Sequence, residues 1–139
     1  MSGEAVVTAA ERYIGTPFHH QGRLPGVGLD CIGLVLCALR EAGYQPPESS
    51  EAYGRAPKPT TMRRQLLRAS RVLGADEPWR PGDALWLRIK RDPSHIALWT
   101  GHDLIHAYAQ VGRVVRQPLD AQWRQCVESA LRYRGLDVG

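Results

Sequence analysis

The hydrophobic positions of the chain follow a helical period in its first third. Apolar residues at that spacing predict a helix over residues 4–14, which ends at the break Gly15-Thr16-Pro17. A loop rich in Gly, Pro and His follows, up to Leu29. A second and more apolar helix is predicted to begin after Asp30, whose carboxylate can cap it, and to run to about Ala42.

Beyond a proline-rich crossing at residues 45–60, the pattern predicts one more helix and then strands. The helix is basic and amphipathic, over residues 61–73. After it, apolar and polar residues alternate, which is typical of strands, with a short turn or helix near residues 120–124. Helices followed by antiparallel strands indicate an α+β fold, with the helices packed on a sheet of about five strands. The strands are predicted at residues 83–89, 95–100, 103–108, 113–117 and 126–133.

The composition favours a single globular domain over residues 1–139, because 43% of the residues are hydrophobic and 23% are charged. No apolar run approaches the roughly 20 residues that a membrane span requires, and the first residues lack the pattern of a signal peptide. We therefore expect a chain made in the cytoplasm that is not a membrane protein. The net charge of +4 is spread over short clusters, so we expect no nucleic-acid partner.

Three cysteines make an odd set with no paired spacing, which argues against a disulfide framework. Cys37 lies in the middle of the second helix and Cys126 at the start of a late strand, so both are predicted to be packing residues. Cys31 is predicted to be the first residue of that helix, where backbone N–H groups and the helix dipole stabilise a thiolate. A packing role for Cys31 and a nucleophilic role both fit this position.

A nucleophilic cysteine needs a base, usually a histidine, and a group that orients the base. In the segment SHIALWTGHDLIHAY a two-residue turn at Gly101-His102 pairs Thr100 with Asp103. This register places His95 and His106 on one face of the sheet as diagonal neighbours, close enough for the two rings to share a hydrogen bond. A slip of one residue would send them to opposite faces. The same register puts Trp99 and Tyr108 on the histidine face, as core or as lining of a cleft.

Three blocks of sequence resemble the NlpC/P60 family of cell-wall cysteine peptidases, and especially its compact branch from phage tails and gene-transfer agents. The blocks are GTPFHHQGRLPGVGLDCIGLV, RPGDALWLRI followed by SHIALWTG, and LIHAY followed by GRVVR. The resemblance implies a papain-like α+β fold in which Cys31 is the nucleophile, His95 the base and His106 the orienting residue. It implies neither a metal nor an organic cofactor.

The substrate implied by the resemblance is the peptide stem of peptidoglycan, typically the bond between D-glutamate and the diamino residue that follows. Phe18 stands where the family commonly has a tyrosine that assists the oxyanion site, so His19, His20 or Gln21 would have to substitute. Gly33 would let the substrate approach the backbone closely. No wall-binding domain is recognised, so we expect partner proteins in a phage tail or particle, which would deliver the chain to the periplasm or cell wall.

Three other functions are considered. A metal-dependent hydrolase is disfavoured because there is no HExxH motif and because His95, His102 and His106 have no further ligands at metal-binding spacing. A non-catalytic tail-assembly or wall-binding module could use the same fold. A thiol amidase or acyltransferase would keep the cysteine chemistry and change the reaction.

Overall fold

The computed structural model of the protein describes residues 2–46, 64, 66–89 and 92–137. Helices α1 (Gly3–Arg12) and α2 (Cys31–Glu41) come first, and the loop between them contains two strands of two residues each, β1 (Arg23–Leu24) and β2 (Gly28–Leu29). The later elements are β3 (Ser70–Val72), β4 (Ala84–Ile89), β5 (Asp92–Trp99), β6 (Asp103–Tyr108), β7 (Arg113–Pro118), α3 (Ala121–Arg124), β8 (Val127–Tyr133) and a 3₁₀ turn (Arg134–Asp137).

Strands β3 to β8 form one antiparallel sheet in the order β3-β8-β4-β5-β6-β7. The predicted α+β class is confirmed, because α1 packs on α2 and α2 packs on β5 and β6. The predicted strand boundaries hold to within about three residues. The described helices are all too short or too polar to cross a membrane.

Within the described ranges the sheet has six strands instead of about five, and the additional one is β3. Residues 70–72 were predicted as the end of a basic helix over residues 61–73, but they pair with β8. Residues 66–68 are helical, and residues 61–63 and 65 of that helix lie outside the described residues, as does most of the proline-rich crossing. A three-residue edge strand is too short to show alternation, and its pairing with a distant strand leaves no local signal.

The ends of α2 follow from capping. Asp30 is the N-cap, and its side chain accepts a hydrogen bond from the Gly33 N–H. At the other end Ala42 is the C-cap, and Gly43 follows with φ of 102°, a left-handed conformation that glycine adopts without strain. The start of α2 is thus set by one carboxylate, directly before Cys31.

Alternate residues of the central strands pack on the two faces of the sheet. Ile96, Leu98, Ile105 and Ala107 belong to the main core, which the two long helices cover. The opposite face carries a smaller cluster that includes Ala97 and Leu104 and is bordered by tryptophans. Its buried members are Leu73, Leu85, Leu87, Ala97, Leu104 and Ala130, with Trp79, Trp99 and Trp123 packed against them.

A buried ion pair joins the start of β4 to β8. Arg132 donates from Nε and Nη2 to the two carboxylate oxygens of Asp83, each at 2.9 Å. Both side chains are almost fully buried, with 2% and 0% of their surface exposed. Asp83 also accepts from the backbone N–H of Arg80, so its charge is compensated on several sides.

Candidate functional site

Cys31 is the first residue of α2 and is half-buried. It packs against the edge of the main core, as Phe18 does. The first backbone N–H groups of a helix lie at the positive end of its dipole, which favours an anion at this position. The sulfur therefore occupies a site suited to a thiolate, at the boundary between the core and the surface.

The carboxylate of Asp30 holds the preceding loop on the start of α2. Oδ1 accepts hydrogen bonds from the Gly33 N–H (2.7 Å) and from Arg23 Nη1 (2.8 Å), and Oδ2 accepts from the Gln21 N–H (3.0 Å). The guanidinium of Arg23 offsets the negative charge that Asp30 brings next to Cys31. Sequence reasoning missed Arg23, because no periodicity links an arginine to a carboxylate within an irregular loop.

Gly33 has a different role from the predicted one. A Cβ at this position would overlap the carbonyl oxygen of Gly22, and it would come within 3.0 Å of Arg23 Nη1. The backbone that approaches the first turn of α2 closely is therefore the protein's own loop, and the expectation of a close approach by substrate at Gly33 is wrong. The missing side chain allows the loop to pack on the helix.

The hairpin of β5 and β6 has the predicted register. Trp99 pairs with Leu104, the Thr100 N–H donates to the Asp103 carbonyl at 3.0 Å, and Gly101 in the turn has φ of 114°. In this register His95 Nε2 lies 2.7 Å from His106 Nδ1, and both side chains are buried. The predicted contact between the two rings is thus present. His102 lies exposed in the turn, with its ring near Asp103.

His106 is enclosed by aromatic rings. Tyr108 is stacked on it with centroids 5.2 Å apart, and Trp123 stands at 90° to it, also at 5.2 Å. Burial, and then the charge of His95, lower the pKa of His106 to about 3. His106 is therefore neutral at pH 7. The sequence placed both Tyr108 and Trp99 on the histidine face. The half-buried ring of Tyr108 packs on the histidine pair, whereas the ring of Trp99 packs on Trp79.

Backbone hydrogen bonds connect the start of α2 to the end of β6. The Leu29 N–H donates to the Pro17 carbonyl (3.1 Å), the Phe18 N–H donates to the Gly112 carbonyl (2.8 Å), and the Gly112 N–H donates to the Tyr108 carbonyl (2.9 Å). These contacts fasten the loop before Cys31 to the turn that follows β6. The nucleophile candidate and the strand of His106 therefore belong to one continuous unit.

The four loop candidates differ in exposure. Phe18 is half-buried, and its ring has no polar atom that could bind an oxyanion. His19, His20 and Gln21 are exposed, and the His19 ring packs on Gly28 while Nδ1 lies 3.0 Å from the His20 carbonyl oxygen. Gln21 has a left-handed backbone with φ of 63°, which aims its N–H at Asp30.

Cys37 and Cys126 lie elsewhere. Cys37 is buried in α2, where its thiol donates to the Arg23 carbonyl and where burial raises its pKa. Cys126 is half-buried after α3, within reach of the Gln122 carbonyl. Within the described ranges, no three His, Cys, Asp or Glu side chains converge in a way that could hold a metal ion.

Comparison with known proteins adds three findings. The sequence model of the NlpC/P60 family matches residues 15–132. A probable endopeptidase of Mycobacterium tuberculosis is 32% identical over 118 residues, which cover 84% of this chain and 26% of that protein. The chain therefore spans about a quarter of the length of the curated relatives it matches.

The fold has close counterparts among solved structures. The peptidoglycan hydrolase RipB of Mycobacterium tuberculosis superimposes with a TM-score of 0.64 at 22% identity, covering 94% of this chain and 63% of that one. An NlpC/P60 family protein of Bacillus cereus gives 0.69 at 19% identity, covering 96% and 40%. These structures share the papain-like architecture.

Proposed function

Because the chain belongs to the NlpC/P60 family, we propose that it is a cysteine endopeptidase that hydrolyses the peptide stem of peptidoglycan. One observation carries this proposal. A buried, hydrogen-bonded pair of histidines, His95 and His106, lies on the two strands that pack against the helix opened by Cys31. A thiol at a helix start, an imidazole base and a neutral ring that orients the base are the parts that acyl transfer needs.

In the proposed acylation, His95 takes the thiol proton of Cys31 and the thiolate attacks the carbonyl carbon of the substrate amide. Because Nε2 of His95 is hydrogen-bonded to His106, the thiol proton is transferred to Nδ1 of His95. The tetrahedral intermediate collapses when His95 returns the proton to the leaving amine, and the C–N bond breaks. A thioester on Cys31 remains.

In the second half, a water molecule gives its proton to His95 Nδ1 and attacks the thioester. The C–S bond breaks, the acid product leaves and the proton returns to sulfur. Throughout, His106 stays neutral and accepts the Nε2–H of His95, which keeps the imidazole in one orientation. The backbone N–H of Cys31 is the proposed oxyanion donor, and a donor of this kind contributes about 2.7 to 4 kcal/mol in favourable cases.

Phe18 carries no hydroxyl, so its side chain cannot donate a hydrogen bond to an oxyanion. The exposed residues His19, His20 and Gln21 are the candidates, because they follow Phe18 directly and lie in the loop that Asp30 holds on the start of α2. We propose one of these side chains as the replacement, since each carries an N–H donor at its tip.

We further propose that the bond cleaved joins D-glutamate to the diamino residue, and that the protein is delivered to the periplasm or wall as part of a phage tail or gene-transfer particle. The support for the cleaved bond is the resemblance of residues 15–35, 80–89, 94–101 and 104–116 to the family, and the support for the delivery route is their resemblance to its phage-type branch. Proteomic analysis of purified particles tests the delivery route, which is wrong if the particles lack this chain.

The activity is tested by digesting purified peptidoglycan and identifying the released peptides by mass spectrometry. The wild type is expected to release stem-peptide fragments, whereas Cys31→Ala releases none. Cys126→Ala is the matched control, because it removes a half-buried thiol outside the site and should retain activity. Release of fragments by Cys31→Ala would remove that residue from the mechanism.

The same experiment separates the alternative functions. A folded wild type that binds the wall without cleaving it would favour the non-catalytic module, and transfer of the acyl group to an added amine would indicate an acyltransferase.

A further inference from the structure

The rings of His106, Tyr108 and Trp123 form a nearly equilateral triangle. The centroids of His106 and Tyr108 are 5.2 Å apart, those of His106 and Trp123 are 5.2 Å apart, and those of Tyr108 and Trp123 are 5.7 Å apart. If Trp123 lay on the side of His106 away from Tyr108, the last separation would be close to the sum of the other two. The indole therefore lies beside the stacked pair.

The planes of the rings show how the indole meets its neighbours. Trp123 stands at 90° to His106 and at 77° to Tyr108, while His106 and Tyr108 are nearly parallel at 14°. Perpendicular rings at this separation make edge-to-face contacts, in which the positive edge of one ring meets the negative face of the other. An indole beside two parallel rings can offer its face to the edges of both.

One nitrogen of His106 is turned to His95 and the other has no hydrogen-bond partner among the described residues. Nδ1 lies 2.7 Å from His95 Nε2, whereas Nε2 is buried and unpaired. A buried polar nitrogen is rarely left without a partner. With the indole face turned to this edge of His106, a lone pair on Nε2 would be repelled by the negative face. A proton on Nε2 would instead give an N–H that is attracted to the same face.

We propose that Trp123 is a positioning residue whose indole face accepts the Nε2–H of His106, which fixes the tautomer of His106 that has Nδ1 as a hydrogen-bond acceptor. In that tautomer His106 accepts from the Nε2–H of His95 and leaves Nδ1 of His95 as the basic nitrogen. His95 thus donates to His106, and His106 donates to the indole face. The effect of this arrangement on catalysis rests on the function proposed above, whereas the tautomer of His106 does not.

The groups that face His106 come from four elements. They are His95 on β5, Tyr108 on its own strand, Trp123 on α3 and Val115, its pairing partner on β7. His95 is the neighbour whose charge acts on the pKa of His106, in the same direction as burial. Two kinds of contact therefore define the state of His106: the hydrogen bond to His95 and the aromatic enclosure.

The tautomer can be measured directly by two-bond ¹H–¹⁵N correlation spectra of the protein labelled at histidine nitrogen, with His106→Asn used to assign the resonances. We expect His106 of the wild type to be protonated at Nε2 and bare at Nδ1 at pH 7.5. Trp123→Phe, which keeps an aromatic face, should preserve this spectrum. Trp123→Leu, which keeps apolar bulk without that face, should give a mixture of tautomers.

The matched control is Trp79→Leu. Trp79 is another half-buried tryptophan on this side of the sheet, but its contacts are Trp99 and Arg124. This variant should leave the His106 resonances and the activity unchanged. For Trp123→Leu we expect kcat/KM on peptidoglycan fragments to fall about 2- to 5-fold, with an altered pH profile, as the loss of one N–H···π contact implies.

Two results would overturn the proposal: a wild-type His106 protonated at Nδ1, or a Trp123→Leu spectrum that retains a single Nε2–H tautomer. A wild type that cleaves no peptidoglycan but shows the expected tautomer and its loss in Trp123→Leu would refute the proposed function and support the positioning role. The proposed function is therefore tested by cleavage of peptidoglycan, and the positioning role of Trp123 by the spectrum of His106.

Discussion

Nε2 of His95 and Nδ1 of His106 are 2.7 Å apart inside the protein, and the ring of His106 is uncharged at pH 7. Many thiol and serine hydrolases orient their base with a carboxylate, which also stabilises the imidazolium by its charge. A neutral imidazole supplies orientation without that charge. In the proposed mechanism the thiolate of Cys31 supplies a counter-charge to protonated His95, which couples the two groups.

Replacing the ring of His106 should reduce turnover, and the reduction should be larger when the new side chain offers His95 no hydrogen-bond acceptor. His106→Ala removes it and should lower kcat about 10²-fold, since a misplaced base loses most of its contribution. In His106→Asn the side-chain oxygen lies near the former Nδ1 position and should retain more activity than the alanine variant. Steady-state cleavage of a stem-peptide fragment measures both. An alanine variant as active as the wild type would contradict the orienting role.

His106 also makes the stability of the protein depend on pH. Its pKa in the folded protein is about 3, against 6.5 for an unperturbed histidine, so the unfolded chain binds the proton first as the pH falls. The free energy of unfolding should therefore decrease between pH 6.5 and 3, by up to about 1.4 kcal/mol per pH unit from this residue. Urea unfolding of the wild type and His106→Asn across this range measures it. Equal pH slopes in the two proteins would show that His106 titrates normally.

Adding a methyl group at Gly33 should destabilise the protein, although alanine is a better helix former. The new Cβ would overlap the Gly22 carbonyl oxygen, and the loop held by Asp30 would have to move. We expect Gly33→Ala to lower the free energy of unfolding by about 1 to 3 kcal/mol, as overpacking does. Gly74→Ala is the control, because its Cβ would meet nothing closer than Glu77 Oε1 at 4.0 Å. Denaturant titration compares them, and equal stability would disprove the clash.

The buried ion pair predicts a large difference between two arginines. Arg132→Met leaves the carboxylate of Asp83 buried without its main partner and should cost about 3 to 5 kcal/mol of stability. Arg88→Met removes an exposed pair with Glu128 and should change stability by less than about 1 kcal/mol. Thermal and urea unfolding give both values. If Arg132→Met unfolds at the wild-type urea concentration, the pair does not stabilise the fold.

Local patterns in the sequence account for most of the fold and for part of the site. The limits of α2 follow from Asp30 and Gly43, and the hairpin register follows from the turn at Gly101, so the contact between His95 and His106 could be predicted on paper. Both features depend on residues within one turn or one hairpin. Their signals are local.

Features that depend on distant residues could not be predicted. β3 is defined by pairing with β8, which comes much later in the chain, and Trp123 reaches His106 only after the chain has passed through β7 into α3. The role of Gly33 required knowing which carbonyl fills the space beside it. In each case the missing information was which parts of the chain meet.

The hydrogen bond from Phe18 to Gly112 closes a unit whose two halves lie far apart in the chain. Because Cys31 precedes the strands of His95 and His106, the ribosome synthesises Cys31 well before either histidine. A nascent chain thus holds the thiol before His95 and His106 have been added. In the proposed enzyme, activity therefore arises only after β5 and β6 have folded against α2.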